Sequence, residues 1–236
     1  MLDLTNKRVV ITGGAGFLCS QLALAIEKQH PGAHVIVFDR FRDDRRFPNN
    51  NLTSLGHFKN LVDFHGHVIA GDINQPADLQ RLRAIDFDYM VHFAAISDTT
   101  VRDELLMVQT NLNAFSDLLD LCVEKNAPMI YASSAATYGN TPAPNRVGGE
   151  EQPENVYGFS KLMMDRFVAE YRQAHPQIPI TGWGRFAWSR RCRNSPTRLI
   201  TLCSASSRTL QVFNRMTSAP RSSCRNLKPS LSSKPP

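Results

Sequence analysis

The chain has 236 residues, 42% of them hydrophobic, enough for one full α/β domain and part of a second. No run approaches the roughly 20 apolar residues of a membrane-spanning helix, and Met1-Leu-Asp-Leu-Thr-Asn-Lys7 has no apolar signal core, so a cytoplasmic protein is expected. The net charge of +6 hides a break: residues 1–181 hold 16 Lys/Arg and all 21 Asp/Glu, whereas residues 182–236 hold 11 Lys/Arg and no acid.

Lys7-Arg-Val-Val-Ile-Thr12 reads as a β-branched strand that runs into Gly13-Gly-Ala-Gly-Phe-Leu-Cys-Ser20 and a helical pattern over 21–28. A strand, a glycine turn and a helix open a dinucleotide-binding βαβ unit. Glycines let backbone N–H groups approach a pyrophosphate, and the helix N-terminus adds partial positive charge. Gly13 and Gly16 fit the Gly-x-x-Gly-x-x-Gly spacing, while Cys19 stands at the third position, at some cost in helix–strand packing.

The second strand, His34-Val-Ile-Val-Phe38, ends at Asp39, the place of an acid that accepts from a ribose 2′-hydroxyl and favours NAD. Arg40, Arg42, Arg45 and Arg46 follow, and such a cluster suits the 2′-phosphate of NADP. Sequence alone leaves the two open. His67-Val-Ile-Ala70 predicts a third strand, with Gly71, Asp72 and Ile73 at its end near an adenine ring. A short helix over 76–84 and a fourth strand over 88–93 lead to Ala94-Ala-Ile-Ser-Asp-Thr-Thr100, where small residues leave room for a cofactor. His92, on that strand, reads as a packing residue.

Helical periodicity over 102–125 leads to a strand at 127–131 that stops at Ser133 and Ser134. Asn155-Val-Tyr-Gly-Phe-Ser-Lys-Leu-Met-Met-Asp165 opens a further helix, and 177–181 predicts a sixth strand. Tyr157 and Lys161 are four apart, so they share one helical face. An ammonium beside a phenol favours the phenolate. With a strand-end serine, Ser134, bonded to the same substrate oxygen, the pair can take a proton from an alcohol whose carbon gives up a hydride.

Strands alternating with helices predict an α/β Rossmann fold, a doubly wound parallel sheet over 1–182, with its site at the strands' carboxyl ends. The remainder, 183–236, has no period of 2 or 3.6 and reads as a disordered basic Ser/Arg/Pro-rich tail. Clustered arginine can neutralise nucleic-acid phosphates, but no RNA or DNA motif accompanies it, so no nucleic-acid partner is predicted. Cysteines at 19, 122, 192, 203 and 224 form no CxxC pair or ligand spacing, which predicts reduced thiols and no metal site.

Taken together, Thr12-Gly-Gly-Ala-Gly-Phe17, Asp39, Gly71-Asp-Ile73, His92-Phe-Ala-Ala95, Tyr131-Ala-Ser-Ser-Ala-Ala-Thr-Tyr-Gly139 and Tyr157-x-x-x-Lys161 resemble the extended short-chain dehydrogenase/reductase superfamily of nucleotide-sugar epimerases and dehydratases. Ser97-Asp-Thr-Thr100, Leu55-Gly-His-Phe-Lys-Asn-Leu61 and Pro153-Glu-Asn-Val-Tyr-Gly-Phe-Ser-Lys161 are most similar to its ADP-L-glycero-D-manno-heptose 6-epimerase family, over residues 5 to about 182. The resemblance implies an isomerase with NADP (alternatively NAD) that acts on ADP-heptose by transient oxidation at C6, in lipopolysaccharide core heptose synthesis, as a homo-oligomer. A nucleotide-sugar 4-epimerase, a 4,6-dehydratase or a non-catalytic nucleotide-binding remnant is the alternative.

The resemblance sets Phe17 and Leu18 over the pyrophosphate, Asp39 and Arg40 at the adenosine ribose, and Lys59 at the cofactor phosphates. Phe93, Ala94, Ala95 and Ser97 would line the nicotinamide side, supported by Asn111. Lys161 would bind the nicotinamide ribose, Tyr157 would be the acid/base, and Ser134 would contact substrate. A second acid/base is implied beyond the sixth strand, and there the chain departs from the family: Gly182-Trp-Gly-Arg-Phe-Ala-Trp-Ser-Arg-Arg191 stands in mid-motif. An out-of-frame translation from about residue 183 is expected, which leaves no residue to inherit the second base or the C-terminal sugar contacts.

Overall fold

The computed structural model describes residues 3–183, apart from 143, 144, 146, 147, 149 and 150. The predicted tail and the expected frame shift lie outside the described residues. Six strands, β1 (Arg8–Thr12), β2 (His34–Asp39), β3 (His67–Ala70), β4 (Tyr89–His92), β5 (Met129–Ala132) and β6 (Ile180–Trp183), form one sheet in the order β3-β2-β1-β4-β5-β6. Every pairing is parallel. The helices are α1 (Phe17–Gln29), α2 (Pro76–Arg83), α3 (Glu104–Val108), α4 (Ala114–Glu124) and α5 (Val156–Ala174). Strand order reverses between β1 and β4, so the chain leaves their carboxyl ends in opposite directions and a crevice opens there.

Alternation along the strands feeds two cores. Val9, Ile11, Val35 and Val37 face one side with Cys19, Leu22, Ala23 and Ile26 of α1. Val10, Ile36 and Phe38 face the other with Phe115, Leu118 and Leu119 of α4 and Met164 and Val168 of α5. A sheet buried on both faces shows apolar runs rather than polar alternation, which is how β1 and β2 read. Phe115, Leu118 and Leu119 are fully buried, and at about 1.5–3 kcal/mol for each such side chain packing anchors α4.

Two differences from expectation bear on the site. The helix predicted over 102–125 is three pieces: α3, a π-helical turn over Gln109–Asn113, and α4. The sixth strand runs Ile180–Trp183 rather than 177–181, because Ile178 closes a turn onto the His175 carbonyl and Pro179 has no N–H to give a ladder. The strand therefore passes the predicted domain boundary by one residue. Among the described residues no helix is long and apolar enough to cross a membrane, and no group of three His, Cys, Asp or Glu could hold a metal ion.

Candidate active site

The glycine turn after β1 is tight where it meets the chain and open where it faces outward. Gly13 has φ +72°, and a Cβ there would sit 2.7 Å from the Ala94 amide nitrogen. Gly16 is the N-cap of α1, with no side-chain cap bond, and a Cβ on it would meet only the Gly13 carbonyl oxygen, at 3.1 Å. The first amides of α1 thus face an open mouth, the arrangement that receives a phosphate. Phe17 and Leu18 stand at its rim, 73% and 53% exposed. Cys19 is buried in the apolar cluster under α1, where burial pushes its thiol pKa far up. A small apolar side chain fills the place of the third glycine.

At the adenosine end, Asp39 is buried, with Oδ2 accepting from the Ala15 amide at 2.9 Å and Oδ1 from the Phe41 amide at 2.7 Å. Gly56 lies over it so closely that a Cβ would be 2.1 Å from Oδ1. Desolvation raises the Asp39 pKa against the pull of these amides. Asp39 therefore pins the glycine turn. Arg40 donates to the Thr53 carbonyl at 2.5 Å and meets Asp72 at 3.4 Å. Ile73, predicted at this site, has its side chain in the core cluster.

Residues 40–57 form a strap across the strand ends. At one end His57 N–H and Asn60 Nδ2 both donate to the Ala15 carbonyl, at 3.0 and 2.8 Å. At the other, Asn49 and Asn51 donate to Asp98 Oδ2 at 2.8 and 2.7 Å, and Phe47 packs with Ile96, Val101 and Met107 against Tyr157. Thr100 adds two bonds to Asp98 Oδ1, and these donors hold the Asp98 pKa well below the usual carboxylate range. Lys59 is exposed on the short 3-10 turn Phe58–Leu61, beside the glycine turn.

At the β4–β5 end, α5 is started by Asn155, whose Oδ1 accepts from the Gly158 amide at 2.8 Å. Gly158 abuts the turn Ala135–Thr137, since a Cβ there would be 2.5 Å from the Ala136 carbonyl oxygen. That contact brings the Ser134 turn against the first turn of α5; Ser134 Oγ itself caps the Ala136 amide at 3.1 Å. Lys161 is 2% exposed, with Nζ 5.9 Å from the centre of the Tyr157 ring and 2.9 Å from the Ala132 carbonyl to which it donates. Burial lowers its pKa to about 8, opposed by the Asp165 carboxylate. His92 is buried, Nδ1 within 2.8 Å of Thr12 Oγ1, and burial lowers its pKa to about 3, so it stays neutral.

Asn111, within the π turn, ties these parts together. Its side chain accepts from the Ile96 amide at 2.8 Å and donates to the Ile96 carbonyl at 3.0 Å and to Ser160 Oγ at 3.1 Å; Ser160 in turn donates to the Tyr157 carbonyl at 2.8 Å. Phe93, Ala94, Ala95 and Ser97 therefore lie on a loop locked to the Tyr157 helix. Sequence reasoning missed Ser160, Asn60, Asn49, Asn51 and Asp165, which act on neighbours distant in the chain.

The chain matches the NAD dependent epimerase/dehydratase family over residues 9–202. It belongs to that family. Among solved family structures, ADP-L-glycero-D-manno-heptose-6-epimerase from Helicobacter pylori is 54% identical, covering 71% of this chain and 52% of that one at a TM-score of 0.66. UDP-glucose 4-epimerase from Brucella ovis, in complex with NAD, is 27% identical over 75% of this chain and 51% of that one, TM-score 0.62. UDP-N-acetylglucosamine 4-epimerase from Methanobrevibacter ruminantium is 25% identical over 77% and 54%, TM-score 0.62. The chain spans about half the length of the solved structures it matches. The family match also runs past the residue at which the acidic side chains cease. Membership brings a nicotinamide cofactor.

Proposed function

We propose that the chain carries the cofactor-binding and acid/base half of an ADP-glyceromanno-heptose 6-epimerase, a cytoplasmic enzyme of lipopolysaccharide heptose synthesis. The observation that carries this reading is a buried Lys161 one turn from Tyr157 at the carboxyl end of β5, in a chain 54% identical to a heptose epimerase. The cofactor fits the residues present, because the glycine turn leaves an open mouth before the uncapped first amides of α1. Gly13, Gly16, Phe17 and Leu18 would hold its pyrophosphate, Lys59 its phosphates, and Lys161 its nicotinamide ribose, with Phe93, Ala94, Ala95 and Ser97 beside the ring.

NADP is the form we favour. Both Asp39 oxygens already accept backbone amides beneath Gly56, whereas Arg40 meets Asp72 only at 3.4 Å and can exchange that contact for a 2′-phosphate. The chemistry that a nicotinamide dinucleotide would supply here, once bound, is hydride acceptance and return. The chain's own part is proton movement: Tyr157 takes the C6 hydroxyl proton as the hydride leaves C6, Lys161 holds positive charge beside the phenolate, and Ser134 bonds the same oxygen. Return to the opposite face calls for a second acid/base, whose family position falls beyond residue 183.

The test is to incubate the full chain with NADP and ADP-D-glycero-D-manno-heptose, following absorbance of the reduced cofactor and C6 configuration by NMR. Cofactor reduction that vanishes in Y157F is the expected result. Turnover of UDP-glucose in place of ADP-heptose would establish the 4-epimerase reading instead. Tight NADPH binding with no reduction on either sugar would leave a nucleotide-binding remnant.

A further inference from the structure

Lys161 is a full positive charge in a dry place, and that needs an anion. An ammonium buried without a counter-charge loses its proton, because desolvation penalises the charged form. Its two hydrogen-bond acceptors among the described residues are neutral: the Ala132 carbonyl at 2.9 Å and the Met164 thioether at 3.6 Å. The charge lies one turn further along α5, at Asp165. Tyr131 donates its hydroxyl to Asp165 Oδ1 at 2.5 Å, and Ser133 donates to Oδ2 at 2.8 Å.

The spacing explains how one strand end serves two helical turns. Tyr131 and Ser133 are two apart at the end of β5, so their side chains point to the same face. Between them, the Ala132 carbonyl takes the Lys161 ammonium. Three successive residues of β5 and its exit thus grip two successive turns of α5. Among the described residues, the titratable groups that face Lys161 are Tyr157 and Asp165 on its own helix, Tyr131 on β5 and His92 on β4. His92, buried and neutral, supplies no compensating charge. Asp165 is the anion of the set.

We propose that Asp165 is the positioning residue of the Tyr157–Lys161 couple: clamped by the Tyr131 and Ser133 hydroxyls, its carboxylate is the counter-charge that holds Lys161 as an ammonium at the carboxyl end of β5. It touches neither substrate nor cofactor. The inference rests on the acid/base reading of Tyr157 and Lys161, but its test reads charge coupling alone. The measurement is NMR of the full chain labelled uniformly with 13C and 15N, titrated over about pH 6 to 11, with the Lys161 and Asp165 side-chain signals assigned by through-bond correlation in the unmodified chain.

In the unmodified chain the Asp165 Cγ signal is expected to step at the midpoint of the Lys161 Nζ signal. D165N is expected to move the Lys161 midpoint down by about one unit or more, and D165E to restore it. A merely structural Asp165 would change the melting temperature without moving that midpoint. No step at Asp165 in the unmodified chain overturns the proposal, and that experiment does not depend on any variant folding. An unmoved Lys161 midpoint in folded D165N overturns it equally. A coupled pair in a chain that reduces no cofactor would keep this inference and refute the epimerase.

Discussion

Two glycines three residues apart separate folding from binding, and replacing each by alanine tests the division. In Gly13→Ala the new residue must hold φ +72°, which costs about 1–2 kcal/mol for an L-residue. Its Cβ would also stand 2.7 Å from the Ala94 amide nitrogen and 2.9 Å from the Phe93 carbonyl carbon. Both are backbone atoms at the end of a central strand, so relief means moving β4, and overpacking of that kind costs roughly 1–3 kcal/mol. Less the ~0.4–1 kcal/mol that alanine removes from unfolded-chain entropy, the loss is about 2–4 kcal/mol, or roughly 5–15 °C in Tm for a chain of this size.

Gly16→Ala has the opposite profile. Its φ of −68° and ψ of 162° suit any residue, and its Cβ approaches only the Gly13 carbonyl oxygen, at 3.1 Å. Stability should fall by no more than about 1 kcal/mol. The methyl group projects into the mouth before α1, so NADPH affinity should drop at least ~10-fold, worth about 1.4 kcal/mol. Thermal melts by circular dichroism and calorimetric titration with NADPH read both quantities. A G13A chain that melts with the wild type, or a G16A chain that binds NADPH equally well, refutes the reasoning.

Tyr157→Phe keeps the ring that packs against the Phe47 cluster but removes the proton acceptor; ADP-heptose-dependent cofactor reduction should fall by about 10²–10⁴ with Tm unchanged. Asn111→Ala strands the Ile96 amide and carbonyl, at about 1–3 kcal/mol for each buried group, so the urea midpoint should fall by the equivalent of roughly 2–5 kcal/mol. The lysine gives a pH signature. Its midpoint is about 8 when folded against an ordinary 10.5, so between those values the unfolded chain binds more protons and stability rises with pH. Denaturant titrations should show that rise in the wild type and its absence in Lys161→Met.

The doubly wound sheet was legible because β1 and β2 are short apolar runs with a glycine turn between strand and helix, and local pattern sets both. The Tyr157–Lys161 face was legible for the same reason, as a spacing on one helix. What stayed hidden depends on contacts between segments far apart in the chain. Asp39 reads as a ribose acceptor from its place at the end of β2, whereas its cover by Gly56 comes from a loop whose path no local pattern records. The π turn was invisible because periodicity over 102–125 is nearly the same whether or not one residue bulges, although the bulge is what turns Asn111 toward Ile96. The sixth strand was set too early because its apolar signal begins before Pro179, whereas its ladder begins after it.

The segment over the strand ends is moored at two places, so it cannot behave as a flap on a single hinge. The Ala15 carbonyl holds one mooring and the Asp98 carboxylate the other. A long molecule lying across the sheet beneath it would have to be threaded or wait for one mooring to slip. Leaving would meet the same obstacle, which suits a helper molecule that stays in place from one reaction cycle to the next.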